Sequence, residues 1–456
     1  MTATPRQAGG GGFGPAAAFR YLGWDVDPEA GQLVCRYALD GREFAERVGV
    51  EADPAAWRTP AAGEAARLVF LLAGVSYYKA GAPPVLDLGA TPVRAGDGAL
   101  LLDFYRQGLG EFAYRNGLDL AALRLVGGTE LGPPVSREAP ADAPLVPFGG
   151  GIDSIVTVEG VRARRPAGGT TLFVLSREGD RFAAIEDAAA ATGLPVARAS
   201  RALDPAILDS ASHGWLNGHV PVTGVLSAIA LLVAVLRDHD AVVMSNEWSA
   251  SIGNVELPGG GSVNHQWSKS LAFEELLRSH LARSIAPPPA YFSWLRPWSE
   301  LWVARRFADL GEYHRVFRSC NRAFALDPAR RLDHWCGRCD KCCFIDLVLA
   351  PFVPAGTLGD VFGGREPLDD PSLAPRFRAL LGRSPDVKPW ECVGEVGECR
   401  AAAALAAARP DRAGTALLQE LVAELPAGAG AGAGRLLGQL GPSHVPERYA
   451  PGDLLG

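Results

Sequence analysis

The stretch FGGGIDS, residues 148–154, decides the fold of this chain. It lies between an extended segment and a helical one. Successive glycine N–H groups can curve around one anion, and the helix that follows adds the positive end of its dipole. We therefore expect Gly149, Gly150 and Gly151 to cradle a pyrophosphate group. Asp153 would orient the loop or hold Mg²⁺, and Ser154 would donate its hydroxyl to phosphate. Without further context, a glycine tract of this kind is only a turn.

Strand-like and helical segments alternate around this loop. The sequence predicts strands at 144–148, 171–176, 195–200 and 241–245, and helices from the loop to 166, at 181–192 and around 222–236. Such alternation is typical of an α/β fold with a parallel sheet and right-handed crossovers. Ligands of these sheets bind at the carboxyl ends of the strands. The glycine loop and Ser245-Asn246-Glu247 both follow predicted strands, so we expect Ser245 and Asn246 to join a nucleotide site.

Two polar runs, 245–254 and 263–270, supply the candidate catalytic residues. Between them they carry acid, amide, basic and hydroxyl side chains within 26 residues. A lone Glu247 or His265 is more often structural than catalytic, but two such runs beside a strand end favour a site. Glu247 would hold a metal or act as a base, whereas Lys269 would neutralise phosphate or carboxylate charge.

A cysteine cluster indicates a metal site in a reducing compartment. The chain has 8 cysteines, of which three recur at two-residue intervals and one lies sixteen positions upstream. A tetrahedral zinc ion needs four converging soft ligands, and we expect Cys320, Cys336, Cys339 and Cys342. His334 competes for the fourth position, an iron–sulfur cluster remains an alternative, and the thiols could also be unligated. Cys343 should point away from the metal.

Composition narrows the class of protein. The chain has 456 residues, a net charge of −7, 48% hydrophobic and 21% charged residues, which is ordinary for a globular protein. The negative charge argues against a nucleic-acid partner. The N-terminus lacks the pattern of a signal peptide, and the apolar run at 220–236 is too short and too broken for a membrane span. We expect a cytoplasmic protein without a membrane partner, and a homodimer remains open.

Composition and pattern divide the chain into five parts. We expect a flexible tail at 1–17, an α+β N-terminal domain at 18–140 and a nucleotide-binding α/β domain at 141–300. A helical segment with the cysteine cluster follows at 301–360, and a helical C-terminal region with an Ala/Gly linker at 361–456.

The glycine loop resembles the S-G-G-x-D-S signature of the PP-loop ATP pyrophosphatase superfamily, whose nucleotide-binding domain is of the HUP type. Gly149 stands where the signature has its first serine, so one hydroxyl contact to phosphate is missing. Members cleave ATP between the α- and β-phosphates to form an adenylated intermediate. The C-x-x-C-x-x-C cluster resembles the zinc site of one member, 7-cyano-7-deazaguanine synthase, which is much shorter.

A resemblance to a second family covers nearly the whole chain. It is carried, in order, by FRYLGWDVDPEAGQLVCRYALDGREFAE, PFGGGIDS, SNEWSASIGN, VNHQWSKSLAFEE and CGRCDKC. These segments are similar to the UDP-N-acetyl-α-D-muramoyl-L-alanyl-L-glutamate epimerase family of peptidoglycan synthesis. Its members invert the terminal L-glutamate of the nucleotide dipeptide, with ATP and Mg²⁺ and release of AMP and pyrophosphate. The resemblance thus implies an isomerase.

The implied reaction is chemically consistent with the residues. Adenylation removes the charge of a carboxylate and supplies an electron sink, so the α-proton becomes removable. The loop residues would hold the phosphates, and Glu247 or Asp153 would carry Mg²⁺. His265 and Lys269 are the candidates for proton transfer or enolate stabilisation, with Cys343 as a weaker one. The alternatives are an adenylating amide- or nitrile-forming ligase and a module that binds ATP without cleaving it.

Overall fold

The computed structural model describes residues 12–14, 16–138, 142–164, 169–257, 260–383, 390–391 and 393–450. The predicted flexible tail at 1–17 lies largely outside these residues, as does the predicted helix end at 166.

The strands follow one another in chain order within the described residues. They are β1 (Phe19–Asp27), β2 (Gln32–Leu39), β3 (Arg42–Val50), β4 (Val85–Asp87), β5 (Pro92–Val93), β6 (Arg124–Val126), β7 (Thr129–Glu130), β8 (Val135–Ser136), β9 (Pro144–Pro147), β10 (Thr171–Ser176), β11 (Val196–Ala202), β12 (Ala241–Met244), β13 (Val255–Glu256), β14 (Ser262–Val263), β15 (Ile285–Ala286) and β16 (Ala290–Ser293).

The α-helices of the same residues are α1 (Pro54–Trp57), α2 (Pro60–Ala73), α3 (Val75–Tyr78), α4 (Asp97–Arg106), α5 (Gly110–Asn116), α6 (Ile152–Arg164), α7 (Ala183–Thr192), α8 (Pro205–Leu208), α9 (Val222–Leu236), α10 (Leu271–Ser284), α11 (Glu300–Ala308), α12 (Asp340–Leu349), α13 (Ala355–Val361), α14 (Ala374–Leu380), α15 (Val396–Ala407), α16 (Ala416–Ala423) and α17 (Ala433–Leu436). The predicted strand at 171–176 and helix at 222–236 have these bounds in the structure, and the bounds of the predicted strands at 144–148, 195–200 and 241–245 and of the helix at 181–192 shift by one or two residues.

A ten-stranded sheet organises the molecule, in the order β16-β12-β9-β10-β11-β3-β2-β1-β4-β6. The first five strands are mutually parallel, which confirms the predicted α/β class with a parallel sheet. Strand β9 pairs with β10 on one side and β12 on the other, so the chain reverses its direction of travel across the sheet at β9. The crevice at such a reversal is where doubly wound sheets bind ligands.

The N-terminal strands extend the same sheet. Strand β3 pairs antiparallel with β11, and β2 and β1 continue the antiparallel order before β4 and β6 complete the edge. The predicted domain boundary at 140 therefore falls between strands of one sheet, and the five-part division remains a prediction.

Side chains of the central strands alternate between two cores, as the period of two in a strand requires. On β9, Leu145 faces the core that holds α2 and α9, whereas Val146 faces the core that holds α6, α11, α12 and α15. Helix α9 is buried along most of its length against α2, as predicted for this apolar run. Among the described helices, none has both the length and the apolar character of a membrane-crossing segment.

Candidate active site

The glycine turn joins β9 to α6, and its middle residue requires glycine. Gly150 has φ +73°, and a Cβ at this position would lie 2.6 Å from the carbonyl oxygen of Ala184. A Cβ on Gly149 would meet nothing within 4 Å, and one on Gly151 would lie 3.6 Å from Ser319 Cβ. The turn is thus closed on the Gly150 side and open at Gly149, where the superfamily signature carries serine.

Two further residues adjoin this turn. The backbone N–H of Arg318 donates to the carbonyl oxygen of Gly150 at 3.1 Å. Arg318 Nη1 and Ser319 Oγ are buried, and neither has a hydrogen-bond partner among the described residues. The other arm of the guanidinium, Arg318 Nη2, lies 3.2 Å from Asp187 Oδ2. A buried donor without a partner is costly to fold, so these two side chains suit an anionic ligand at the turn.

The remaining residues predicted for the nucleotide lie at the same sheet edge. Ser154 Oγ donates to the carbonyl oxygen of Gly151 at 3.0 Å and closes the first turn of α6. The backbone N–H of Asn246 donates to Ser293 Oγ at 2.6 Å, which fixes the chain as it leaves β12. Ser245 Oγ is buried and lacks a partner within the part of the chain that the structure describes. The contacts of these residues with phosphate stay a prediction.

Three carboxylates meet beside the turn: an oxygen from each of Asp153, Glu247 and Glu300 lies within 4.8 Å of the others. Asp153 comes from the first turn of α6, Glu247 follows β12, and Glu300 opens α11. Asp153 Oδ1 and Glu300 Oε2 are buried without a hydrogen-bond partner among described residues. Like charges this close in a buried setting repel strongly unless protons or a cation neutralise them.

The pKa values reflect that repulsion. Burial raises the pKa of Asp153 to about 6, and the charge of Glu247 acts in the same direction. Burial also raises the pKa of Glu300 well above its usual range, with added effects from Asp153 and Glu247. The positive charges of Lys341 and Lys269 oppose the shift at Asp153. Two lysines and three carboxylates therefore share one electrostatic environment.

A buried arginine hydrogen-bonds to both of the predicted polar runs. Arg296 Nη1 donates to the carbonyl oxygen of Glu247 at 3.0 Å, and Arg296 Nη2 donates to that of Lys269 at 2.6 Å. Arg296 Nε contacts Glu274 Oε2 at 3.1 Å, so its charge is balanced. Lys269 Nζ donates to Gln266 Oε1 at 3.1 Å. The predicted proximity of Glu247 and Lys269 thus has a specific structural cause.

His265 belongs to a second cluster, formed with Glu111 and His219. His265 Nδ1 hydrogen-bonds Glu111 Oε2, His219 Nδ1 lies 4.0 Å from that oxygen, and the imidazole centroids are 4.1 Å apart. Arg115 Nε contacts the other oxygen, Glu111 Oε1, at 3.0 Å. Burial lowers the pKa of His219 to about 4, and positive charge on His265 and Lys269 acts in the same direction. Arg296 contacts the carbonyl oxygens of both Glu247 and Lys269, and His265 lies four residues before Lys269, so the two clusters are neighbours and are together called the cleft.

The cysteine residues expected to bind metal converge. One sulfur from each of four residues lies within 4.8 Å of the others: Cys320, Cys336, Cys339 and Cys342. The Sγ–Sγ distances are 3.6 Å between Cys336 and Cys342, and 3.4 Å between Cys339 and Cys342. Ligand sulfurs of a tetrahedral zinc ion with bonds of about 2.3 Å stand about 3.8 Å apart. The donor set and its spacing therefore fit a zinc ion.

Two neighbours of this cluster lie apart from it. His334, the competing fourth ligand, is exposed and contacts Asp333 Oδ1 at 2.8 Å. Cys343 is buried in the core beside α15, in line with the expectation that it points away. Burial raises the pKa of the Cys343 thiol to about 12, with a further effect from Asp346. A thiol that stays protonated at neutral pH is a poor base, so we assign Cys343 no proton transfer.

Sequence reasoning missed several residues of the cleft, namely Glu111, His219, Glu300, Arg318, Ser319 and Lys341. Lys341 lies within CGRCDKC but was not assigned a role there, the others stand in no recognisable motif, and the chain positions of Glu111 and Glu300 are 189 residues apart. Their shared property is a polar side chain that the fold buries or half-buries, which cannot be read from local sequence. By contrast, the glycine turn and the two polar runs could be identified from the spacing and composition of the sequence.

Comparison with known protein families supports an enzyme of the isomerase class. The MurL N-terminal domain family matches residues 14–294, and the MurL C-terminal domain family matches residues 316–435. No solved structure matches the chain.

Three relatives that share one name narrow this class to a family. Proteins named UDP-N-acetyl-alpha-D-muramoyl-L-alanyl-L-glutamate epimerase are similar to this chain in Xanthomonas oryzae pv. oryzae (41% identical, covering 90% of this chain and 90% of the relative) and in Salinispora tropica (40% identical, covering 96% and 95%). A third, from Micromonospora sp., is 38% identical and covers 95% of this chain and 97% of the relative. The chain belongs to this epimerase family, which confirms the predicted membership.

Proposed function

We propose that this chain inverts the terminal L-glutamate of UDP-N-acetyl-α-D-muramoyl-L-alanyl-L-glutamate to D-glutamate, in the cytoplasm, by way of an acyl-adenylate. ATP would be consumed, and AMP and pyrophosphate released, as in the PP-loop ATP pyrophosphatase superfamily. The observation that carries the proposal is the pairing of a glycine turn with three converging carboxylates, two buried and one half-buried, at the reversal point of a parallel sheet. Family membership supports the substrate, since all three relatives carry its name.

The turn and its neighbours would bind the triphosphate. Gly149, Gly150 and Gly151 allow backbone N–H groups to approach an anion, and the N-terminus of α6 adds its dipole. Arg318 and Ser319 bring two unpartnered buried donors to the same turn. Ser154, Ser245 and Asn246 lie at the adjoining strand ends, where they would complete the nucleotide site.

The carboxylate trio fits Mg²⁺. Hard divalent cations prefer oxygen ligands, and Asp153, Glu247 and Glu300 offer three within 4.8 Å of one another. Two of their oxygens, Asp153 Oδ1 and Glu300 Oε2, are buried with no hydrogen bond from described residues. When bound, the cation would neutralise the charge of carboxylates and phosphates. Without a cation, the raised pKa values of Asp153 and Glu300 mean that protons do part of this work.

The chemistry of inversion would follow adenylation. The adenylated carboxyl group no longer carries a negative charge, so removal of the α-proton does not build a second charge beside a first, and the proton becomes acidic enough for a side-chain base. His265 and Lys269 are the candidates for moving the proton and stabilising the enolate. Hydrolysis of the acyl-adenylate then returns the carboxylate. Water is the only second reactant this sequence needs, which separates it from an amide- or nitrile-forming ligase.

The four cysteines would bind a structural zinc ion that holds the segment carrying Arg318 and Ser319 against the glycine turn. Cys320 follows those two residues directly in the chain, so its anchoring fixes their position. We expect Cys339→Ser to lower bound zinc and thermal stability while the intrinsic chemistry of the folded fraction changes less. Retention of a full zinc complement would contradict this assignment.

The experiment that tests the function incubates the purified chain with the UDP-linked dipeptide, ATP and Mg²⁺, without ammonia or amine. Chiral analysis of the glutamate after acid hydrolysis should reveal D-glutamate, and AMP should form as the L-glutamate dipeptide is consumed. In ²H₂O the product should carry deuterium at the glutamate α-carbon. Retained L-configuration with AMP release only when an amine is present would favour the ligase. Absence of AMP under every condition would favour a nucleotide-binding module.

A further inference from the structure

A helix of the N-terminal region reaches into the proposed active site. Glu111, in the first turn of α5, hydrogen-bonds Nδ1 of His265, which stands about 150 residues further along the chain. Its side chain is only 6% exposed. A buried carboxylate is stable only where other groups compensate its charge. Here His265 contacts one oxygen of Glu111 and Arg115 contacts the other. The burial of both groups makes this pair a built feature of the cleft.

We propose that Glu111, His219 and His265 form one proton-transfer station on a single face of the substrate glutamate, with His265 as the base and Glu111 as its positioning residue. This inference rests on the proposed function and goes beyond it, because it assigns a chemical task to the N-terminal region. It also predicts that the opposite face is served by a group outside this cluster, for which Lys269 is our candidate.

The tautomer of His265 follows from the Glu111 contact. A carboxylate accepts a hydrogen bond, so the proton of the neutral imidazole resides on Nδ1 and the basic lone pair on Nε2. In the step, the Cα–H bond of the adenylated glutamate breaks, its electron pair enters the enolate, and Nε2 takes the proton. The Glu111 carboxylate stabilises the imidazolium that results. A proton from the other face then forms the new Cα–H bond, and the enolate electrons return to carbon.

The geometry of the two imidazoles puts them on one face. Their centroids are 4.1 Å apart with an interplanar angle of 41°, so the rings are in van der Waals contact and no substrate carbon fits between them. Two bases that work from opposite faces must lie on either side of that carbon. His219 and His265 therefore cannot be the two opposed groups. His219 instead lies where it could relay protons to and from His265.

Several charged groups face this station. Arg115 lies on Glu111 from the same helix, and Lys269 acts on His219 from the second polar run. Glu391, from the C-terminal region, interacts with His265, and burial raises the pKa of its carboxyl. Burial acts to raise the pKa of Glu111, but the hydrogen bond with His265 and the positive charges of His265, His219 and Arg115 together lower it. Glu111 is therefore ionised at neutral pH, as a positioning carboxylate must be.

The test compares Glu111→Gln, His265→Asn and the exposed control Glu43→Gln in the full-length protein. ATP–pyrophosphate exchange dependent on the UDP-dipeptide reports adenylation, and deuterium entry at the glutamate α-carbon reports proton removal. We expect Glu111→Gln to keep exchange within about threefold while deuterium entry from one glutamate epimer falls by about 100-fold or more. Deuterium entry from the other glutamate epimer should persist, and that epimer should keep its configuration. Glu43→Gln should change neither measurement.

The pH profile separates positioning from a merely structural role. A neighbouring carboxylate favours the imidazolium form, so in Glu111→Gln the acidic limb of deuterium entry should move to lower pH, and Glu111→Asp should restore much of the rate. Equal loss from both epimers, or unchanged deuterium entry, would overturn the station. Loss of a bound metal ion in Glu111→Gln would show a metal site instead. If the wild-type chain lacks dipeptide-dependent exchange, the proposed function fails, which is a different result.

Discussion

Two buried clusters of charge in this molecule differ in how their charges are balanced. In the first, Arg67 Nη2 contacts Glu64 at 2.8 Å and its other arm contacts Asp97. Arg94 Nη2 lies 2.7 Å from Glu64, and His280 Nδ1 lies 2.8 Å from Asp97. Each carboxylate of this network therefore has cationic partners, which ties α2, α4 and α10 together.

The second cluster consists of the carboxylates of Asp153, Glu247 and Glu300. Asp153 is half-buried and the other two are buried, and two of the oxygens have no hydrogen-bond partner among the described residues. The charges of Lys341 and Lys269 act on Asp153, but its pKa remains raised. Close carboxylates with unpaired oxygens lower the stability of the folded state, and such groups are concentrated at functional sites. The contrast indicates that the paired network stabilises the fold, whereas the acidic cluster, with its unsatisfied oxygens, is the one to which we assign the proposed cation.

The largest expected effect is on activity in Asp153→Asn. This change removes one proposed cation ligand and one negative charge, so AMP formation should fall by about 1,000-fold or more. The melting temperature should stay the same or rise, because repulsion with Glu247 and Glu300 is relieved. AMP release and thermal unfolding of the same preparation check both halves. AMP formation at the wild-type rate would remove Asp153 from the site.

The paired network should respond in the opposite way. Arg67→Met leaves Asp97 and Glu64 with less compensation in a buried setting, so the free energy of unfolding should fall by about 3–5 kcal/mol. Activity per folded molecule should change little, since the network lies outside the cleft. Denaturant unfolding measures the first effect and AMP release at low temperature the second. A stability like that of the wild type would show that the network contributes little.

The two clusters should also give opposite pH dependence. The pKa of Asp153 is raised by burial to about 6, so the native state holds its proton and Asp153 makes stability fall as pH rises from about 4 to 6. Burial opposes the shift at Asp97, but His280 and Arg67 lower its pKa to about 2. The stability from Asp97 is present above about pH 4 and is lost as pH falls through 2.

This pH dependence is measurable by comparison with Asp153→Asn. Without Mg²⁺, the wild-type chain should lose roughly 1–3 kcal/mol relative to the variant between pH 4 and 6. Saturating Mg²⁺ should reduce that difference, because a ligand of the native state stabilises it. Parallel stability curves for the two proteins over this range would contradict the raised pKa.

The smallest effect is expected at Gly149→Ser, which introduces the serine found in the PP-loop signature that this loop resembles. A Cβ at this position meets nothing within 4 Å, so the free energy of unfolding should change by less than about 0.5 kcal/mol. Gly150→Ala is the matched contrast, because φ is +73° and the new Cβ would lie 2.6 Å from Ala184 O. Thermal unfolding distinguishes the two. Strong destabilisation by Gly149→Ser would mean that the loop is closed at that position.

Local patterns predicted the part of the fold that positions the loop. The strand at 171–176 and helix at 222–236 have clear hydrophobic runs bounded by Gly, Pro or polar residues, and the structure has both. The single sheet shared with the N-terminal strands was not predicted, since the pairing of β3 with β11 joins residues about 150 positions apart. Strand pairings between residues so far apart in the chain produce no periodic pattern in the sequence.

The candidate site divides in the same way. Glycine and cysteine spacing led to Gly150, Asp153 and the four-cysteine cluster, because those geometries are local. Glu300 and Glu111 could not be predicted, since each stands in an ordinary helical stretch and acquires its partners only through folding. His265 was identified by its polar neighbours, whereas its contact with Glu111 depends on where α5 packs.

The most direct test of the central claim is a crystal structure with Mn²⁺ and an ATP analogue whose α,β-bridge resists cleavage. Manganese replaces Mg²⁺ and its anomalous signal marks its position. We predict an anomalous peak coordinated by Asp153, Glu247 or Glu300, with the triphosphate seated on Gly149–Gly151. A nucleotide bound elsewhere, or a peak away from these carboxylates, would contradict the account.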